Sequence, residues 1–409
     1  MFDAIKKSKI LVLTGAGASV ALGRDTTKQF LKRFSTEAHR RLAERGGALV
    51  SQLSFVHEAA TGGKLDIEHV LSLLEERRDA ARSLIDDGAF KAQVAEDVQS
   101  IVRGYAEAND TIARAIYDMV IEHYSAVDEQ QAGELYRELL RGFPAWFGDV
   151  PDLGLTLPFF TLNYDTAIES AVASWLDEPD GGGGHMEVRL VNGLTQVRGG
   201  TEPRWSEREF ASYREVPNKA NIVLVKLHGS VLWGRRGGVR QPYVAQLPIG
   251  VRRDPGEDFR HAVLYPTLAP KPVADEPFRT GYRCLRACLH TAQLLVIIGS
   301  SLRDPEIVAE LRDAMEANER LHIVAIDPNL DHNTVATRVT APPARVAAIG
   351  VAFEAAMVVG LMGRLRDFAR LASGVETRAS VRFGKTFDAS ILDADTRVVP
   401  RVPLPPGES

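Results

Sequence analysis

Hydrophobic and polar positions follow two regimes along this chain. Short apolar runs stand at Ile10–Leu13, in Pro158–Asp165 (Pro-Phe-Phe-Thr-Leu-Asn-Tyr-Asp), and at Ile222–Leu227, Leu294–Ile298 and His322–Ile326. Runs of this length without alternation predict strands buried on both faces, as in a parallel sheet. Between the first and second runs the period changes. Ile67, Val70, Leu71, Leu74 and Ala81 recur at helical spacing with Glu75, Glu76, Arg77 and Arg78 on the other side, and Ile112, Ile116, Met119 and Val120 repeat the pattern. Leu135–Phe143 predicts one more helix, with Pro144 at its end. Further helices are expected over Ala18–Phe34 (Thr26 or Thr27 an internal cap), Thr166–Trp175, Tyr282–Thr291 and Pro305–Asn318. The pattern is α/β, interrupted by an all-α stretch.

Each apolar run ends in a polar or glycine-rich cluster: Gly15–Ser19, Asn163–Asp165, His228–Ser230, Gly299–Ser301 and Asp327–Asn329. After the first run, Gly15 and Gly17 permit a tight turn and close approach of backbone to a ligand. A glycine turn that leads from a buried strand into a helix aims amide N–H groups and the helix dipole at one point, as a pyrophosphate requires. Val20 replaces the third glycine of the dinucleotide fingerprint, and no Lys-Ser or Lys-Thr follows, which argues against a nucleoside-triphosphate loop. Each cluster alone has a plain structural explanation: a simple chain reversal, a helix cap at Asn163, a satisfied core histidine at His228. Together they carry more weight. In an open parallel sheet the carboxyl ends of the strands face one crevice, so the expected fold is a Rossmann-like parallel sheet with helices on both faces and a helical insert.

Composition narrows the picture. The net charge of −5 gives no reason to expect nucleic-acid binding. The two cysteines, Cys284 and Cys288, stand one helical turn apart; a structural zinc site needs four ligands, so they read as small buried hydrophobes and no metal is expected. So few cysteines fit a reducing, cytoplasmic setting. The N-terminus has no signal-peptide core. Val346–Gly363 approaches membrane-spanning length, but Glu354 and three glycines favour a strand and a buried helix of a soluble domain, so no membrane is expected. Gly181–Gly184 predicts a mobile surface loop, and His185 beside it is assigned no chemistry. Arg235–Pro270 reads as loops with at most a hairpin, and Val399–Ser409, with four prolines, as a tail.

The ordered set of clusters resembles the sirtuin fold, and more closely the sirtuin-like NAD-hydrolase domains of bacterial anti-phage defence systems. Gly15-Ala-Gly-Ala-Ser19 is similar to the family's first phosphate motif, Thr161-Leu-Asn-Tyr-Asp165 to Thr-Gln-Asn-Ile-Asp, Leu227-His-Gly-Ser230 to the catalytic His-Gly, and Gly299-Ser-Ser-Leu302 to Gly-Thr-Ser-Leu. The resemblance implies a sirtuin-like domain over 1–34 and 151–373, a helical insert over 35–150 and an extension over 374–409. It implies NAD as substrate. Gly15, Ala16, Gly17, Ser19, Gly299, Ser300 and Ser301 would line the phosphates. Asp327 would lie near the adenosine ribose and Asp165 at the nicotinamide amide. Asn163 would position water or the nicotinamide ribose, and His228 would be the general base.

Departures from the family set the expected reaction. Deacylating sirtuins carry Gly-Ile-Pro-Asp-Phe-Arg where this chain has Leu22-Gly-Arg-Asp-Thr-Thr-Lys-Gln-Phe30. They also carry four zinc cysteines, which this chain lacks, and a Gln where Leu162 stands. With no acyl acceptor, water would give ADP-ribose and nicotinamide. The resemblance therefore implies an NAD+ glycohydrolase acting as a defence effector that depletes NAD+. It would be activated by homo-oligomeric assembly or by a separate partner, such as a translocase-type ATPase or an Argonaute-like protein. Two alternatives stay open: a protein deacylase or ADP-ribosyltransferase, and a non-catalytic NAD or ADP-ribose sensor.

Overall fold

The computed structural model describes residues 2–354 apart from 43–46, 126–128, 147–154, 177–186, 197–201, 215, 217–218, 237–242, 247–259 and 266–272. Gly181–Gly184 with His185, the part of Val346–Gly363 beyond Glu354, and the 374–409 extension with its tail lie outside the described residues. The strands are Ile10–Thr14 (β1), Leu155–Thr161 (β2), Glu187–Val191 (β3), Leu194–Gln196 (β4), Pro203–Trp205 (β5), Lys219–Lys226 (β6), Gly229–Arg236 (β7), Tyr243–Gln246 (β8), Arg260–Val263 (β9), Leu294–Ile298 (β10), His322–Ile326 (β11) and Val346–Ile349 (β12). The α-helices are Thr27–Leu42 (α1), Ala48–Gly62 (α2), Ile67–Asp86 (α3), Gly88–Gln93 (α4), Glu96–Ser125 (α5), Glu129–Trp146 (α6), Ala167–Leu176 (α7), Glu207–Ala211 (α8), Phe278–Leu289 (α9), Pro305–Ala317 (α10) and His332–Arg338 (α11).

One sheet organises the chain. Its order is β12-β11-β10-β1-β2-β6-β3, and every pairing is parallel. Alternation along each strand divides its apolar residues between two faces. Ile10, Val12, Phe159, Leu224 and Val296 pack under Tyr136, Leu139 and Leu140 of α6 and Ala167, Ile168 and Val172 of α7. Leu11, Leu13, Phe160, Val225 and Ile297 pack under α9, α10 and α11. Sheet order reverses between β1 and β10: from β1 the chain builds β2, β3 and β6 on one side, then returns to place β10, β11 and β12 on the other. A crevice opens at the carboxyl ends at such a switch point.

The structure differs from several sequence expectations. The turn after β1 does not enter an α-helix over Ala18–Phe34. Ala16–Leu22 is a short 3-10 helix, stopped by Gly23 in the left-handed region (φ 70°). Helix α1 then starts at a capping box, in which the Thr26 amide donates to Gln29 Oε1 and the Gln29 amide to Thr26 Oγ1. Pro144 falls inside α6 rather than past its end. Arg235–Pro270, read as loops with a hairpin, contributes the end of β7 with β8 and β9 to a second sheet of order β4-β5-β8-β7-β9, antiparallel throughout. Its strands are short, so their alternation carries little signal. By packing, the helical core runs through α1, α2, α3 and α5, from Phe30 to Val120, and also takes in Tyr164, Val231 and Val263. Helix α6 instead belongs to the main sheet.

Candidate active site

The glycine turns are shaped first by each other. The Gly15 amide donates to the Ile298 carbonyl (2.9 Å) and the Gly17 amide to the Gly299 carbonyl (2.7 Å). A Cβ on Gly15 would stand 2.9 Å from Ser300 Cα, and one on Gly17 2.8 Å from Gly299 Cα. Gly15 itself is extended (φ −125°), so it is required by this contact and not by its own conformation. Gly299 needs both: its φ is +62°, and a Cβ would lie 2.0 Å from the Ala18 nitrogen. The turns after β1 and β10 thus interlock across the switch point. Leu302 holds a left-handed backbone too (φ 52°), with its amide on Ser300 Oγ at 3.3 Å.

The ends of β1 and β2 meet beside this interlock. Thr14 Oγ1 donates to Thr161 Oγ1 (2.8 Å), and the Asn163 amide donates to the same hydroxyl (3.0 Å). Asn163 Nδ2 donates to Ser19 Oγ (2.9 Å), and Ser19 Oγ donates to Asp165 Oδ2 (2.7 Å). The other oxygen of Asp165 accepts the Ala167 amide at 3.1 Å. All three side chains are buried. The chain Asn163–Ser19–Asp165 therefore fixes the orientation of each member, which is how buried polar groups are kept rigid.

Beneath it sits Lys226, which sequence reasoning did not single out. Its side chain is 2% exposed, and its ammonium donates to the Asp165 carbonyl and pairs with Glu169 at 3.2 Å. Burial pushes the Glu169 carboxyl up, and the Lys226 charge opposes that rise. A lysine inside an otherwise apolar strand was the available signal, since a buried charge requires a partner.

His228 lies in the turn between β6 and β7 and is buried. Its carbonyl accepts the Leu264 amide (2.8 Å), and its ring lies 6.4 Å from that of Tyr164, whose hydroxyl donates to the Leu264 carbonyl at 2.6 Å. Burial pushes the Tyr164 phenol well up. His228 Nε2 stands 3.0 Å from Asp304 Oδ2. Asp304, absent from the sequence-derived site, caps α10 through the Ile307 amide (3.1 Å). Gly229, at φ +84°, turns the chain straight into β7.

The remaining expected residues are placed less centrally. The Ser301 carbonyl accepts from Arg338, whose guanidinium is pushed down by burial and by Arg303. Asp327 is buried at the end of β11 and accepts the Asn329 amide at 2.8 Å; neither it nor Ala16 is a member of the Asn163–Ser19–Asp165 chain. Asn163, Asp165, Ser19, Gly15, Gly17, Gly299 and Ser300 are brought together, with His228 alongside.

The fold is an α/β domain whose parallel sheet reverses its order between β1 and β10, with the Asn163–Ser19–Asp165 chain at the carboxyl ends of β1 and β2. Residues 158–340 match the family model described as a SIR2-like domain. The matched segment holds most of β2 together with β6, β10 and β11, and includes Asn163, Asp165, His228 and Asp327. No curated protein matches the chain. Among solved structures, a Sir2 homologue in complex with NAD is 14% identical and overlaps 90% of this chain and 93% of its own, with a TM-score of 0.39. A triple mutant of Sir2 homologues with 2'-O-acetyl ADP-ribose is 14% identical over 90% and 96%, with a TM-score of 0.37. Among the described residues no cluster of His, Cys, Asp or Glu could hold a metal, and no helix is long and apolar enough to cross a membrane. Both cysteines are buried in α9 against the sheet.

Proposed function

We propose that this cleft hydrolyses NAD+ to nicotinamide and ADP-ribose. The observation that carries the reading is the buried Asn163–Ser19–Asp165 chain with His228 beside it, at the strand ends of a sheet whose second part matches a SIR2-like domain. In the reaction the N-glycosidic bond breaks and its electron pair goes to the ring nitrogen, so nicotinamide leaves neutral. The oxocarbenium-like ribose carbon takes the oxygen of water, and the water proton passes through His228 to solvent. Asp165 would hold the nicotinamide amide and Asn163 the water or ribose. The interlocked turns with Ser300 and Ser301 would face the phosphates, and Asp327 the adenosine ribose. Positioning and exclusion of water do most of the work in such a bond cleavage. A neutral imidazole suits the proton transfer near pH 7.

The biological role in this reading is an anti-phage effector that depletes NAD+ after assembly or contact with a partner protein. Its support is the resemblance of the motifs to defence-system domains.

Purified protein incubated with NAD+, with products resolved by chromatography, should release nicotinamide and ADP-ribose in equal amounts. Asn163→Ala and His228→Ala should each lower the rate about 10²- to 10⁴-fold. Binding without turnover would replace this reading with a sensor, and acyl-ADP-ribose formed from an acyl-lysine peptide would replace it with a deacylase. Activity per molecule that is unchanged on dilution of a monomer would remove control by self-assembly.

A further inference from the structure

The proposed base has a partner that the motifs do not supply. Asp304 lies beyond Gly299-Ser-Ser-Leu302, more than 70 positions from His228 in sequence, yet its Oδ2 is 3.0 Å from His228 Nε2. Both side chains are largely shielded, at 9% and 11% exposure. The carboxylate is fixed on the other side, because Oδ1 accepts the Ile307 amide at 3.1 Å as the cap of α10. Helix α10 is itself anchored in the core by Ile307 and Leu311. The approach to the ring is close but not collinear, as catalytic hydrogen bonds often are before substrate tightens them.

We propose that Asp304 is the positioning residue for His228, accepting from its Nε2–H and so selecting the tautomer in which Nδ1 carries the lone pair. This rests on the hydrolase reading for its chemical consequence, though not for the pairing itself. The tautomer of an imidazole is set by the hydrogen bond made at its other nitrogen. With Nε2–H committed to the carboxylate, Nδ1 takes the proton from water or a ribose hydroxyl. The resulting imidazolium is then stabilised by the Asp304 charge, which does not itself become protonated. No other atom changes hands. A cap alone would not need an aspartate, because serine and asparagine cap as well.

That difference gives the test. Asp304→Ser keeps a capping oxygen but is too short to reach the ring, whereas Asp304→Asn keeps both the cap and an amide oxygen near Nε2. Both variants keep a cap on α10 and should therefore melt within about 3 °C of the parent. In Asp304→Ser the turnover of NAD+ should fall about a hundredfold, the loss typical of a misplaced catalytic group, with KM changed by less than about threefold. Asp304→Asn should lie between the two. In ¹⁵N-histidine-labelled protein, His228 (assigned by loss of its signals in His228→Gln) should show a protonated Nε2 and a bare Nδ1 at pH 8, and a mixture of tautomers in Asp304→Ser. Parental turnover in Asp304→Ser would overturn the proposal. If the parent bound NAD+ without cleaving it, the hydrolase reading would fall, and the ¹⁵N spectra would still decide the pairing: a tautomer unchanged in Asp304→Ser overturns it, and a lost preference upholds it.

Discussion

At the scale of single residues, three glycines at the start of the site separate two effects that are usually confounded. Gly23 has a left-handed backbone and open space where a Cβ would stand, with nothing within 4 Å; Gly15 has an ordinary backbone but a steric contact; Gly299 has both. A left-handed L-residue costs about 1–2 kcal/mol. Gly23→Ala should therefore lose about that much in urea unfolding, and Gly299→Ala distinctly more, because the turn after β1 has to move; equal losses would show that the interlock is soft. His123 gives a prediction in pH. Its Nε2 accepts the Asp25 amide (3.0 Å), and burial holds its imidazolium below the usual range while the Asp25 carboxylate opposes that shift. A depressed folded value means that the unfolded chain protonates first. The contact's stability is thus complete above about pH 6.5 and is lost as pH falls through the folded value. Urea midpoints between pH 7.5 and 5 should fall more steeply in the parent than in His123→Gln; matching slopes would remove His123 from the account. Asn163, Asp165 and His228 were legible because each ends an apolar run. Asp304 and Tyr124, whose ring meets Tyr164 at 5.7 Å, were not. Their partners are distant in sequence, and only the Asp-Pro start of a helix marked Asp304 at all.

At the scale of elements, the helical core reaches loops of the site at the end of α5 and at the start of α3. The end of α5 closes on the loop after the 3-10 helix: Arg24 donates to the His123 carbonyl (2.6 Å) and Tyr124 to the Asp25 carbonyl (3.1 Å). The start of α3 reaches the loop that carries Asp304. Asp66, 2% exposed, caps α3 through the His69 amide (3.2 Å) and meets Arg303 at 3.4 Å. Asp66→Ala removes both roles and should cost about 1 kcal/mol from the cap alone. Asp66→Asn keeps the cap, so its stability should match the parent while NAD+ turnover drops severalfold; a parental rate would mean that α3 does not help place the Asp304 loop. The helices themselves were legible from their period, but their attachments were not, since an amphipathic stripe shows that a face is buried without showing against what. The same limit explains α6, whose apolar stripe lies on the main sheet and not on the helical core. The second sheet escaped notice for a different reason. Strands as short as Leu194–Gln196 and Pro203–Trp205 are held by their neighbours more than by their own sequence.

At the scale of the whole molecule, two apolar layers sandwich the main sheet and a third core lies among the helices, with Tyr164 and Val231 joining that third core to the site. Ile112, fully buried in it, gives a measure of coupling. Ile112→Ala should lower the unfolding free energy by about 2–5 kcal/mol and, if the cores unfold together, in one transition; two separated transitions would make the helical core an independent unit. The order of the main sheet also sets a timetable. Ile10 of the central strand pairs with Leu294, roughly 280 residues further along. At about 5–20 residues per second, a ribosome needs between a quarter of a minute and a minute to deliver that neighbour. Until then one edge of an apolar strand has nothing to pair with, so the nascent chain passes through a long interval in which capture by a chaperone competes with aggregation.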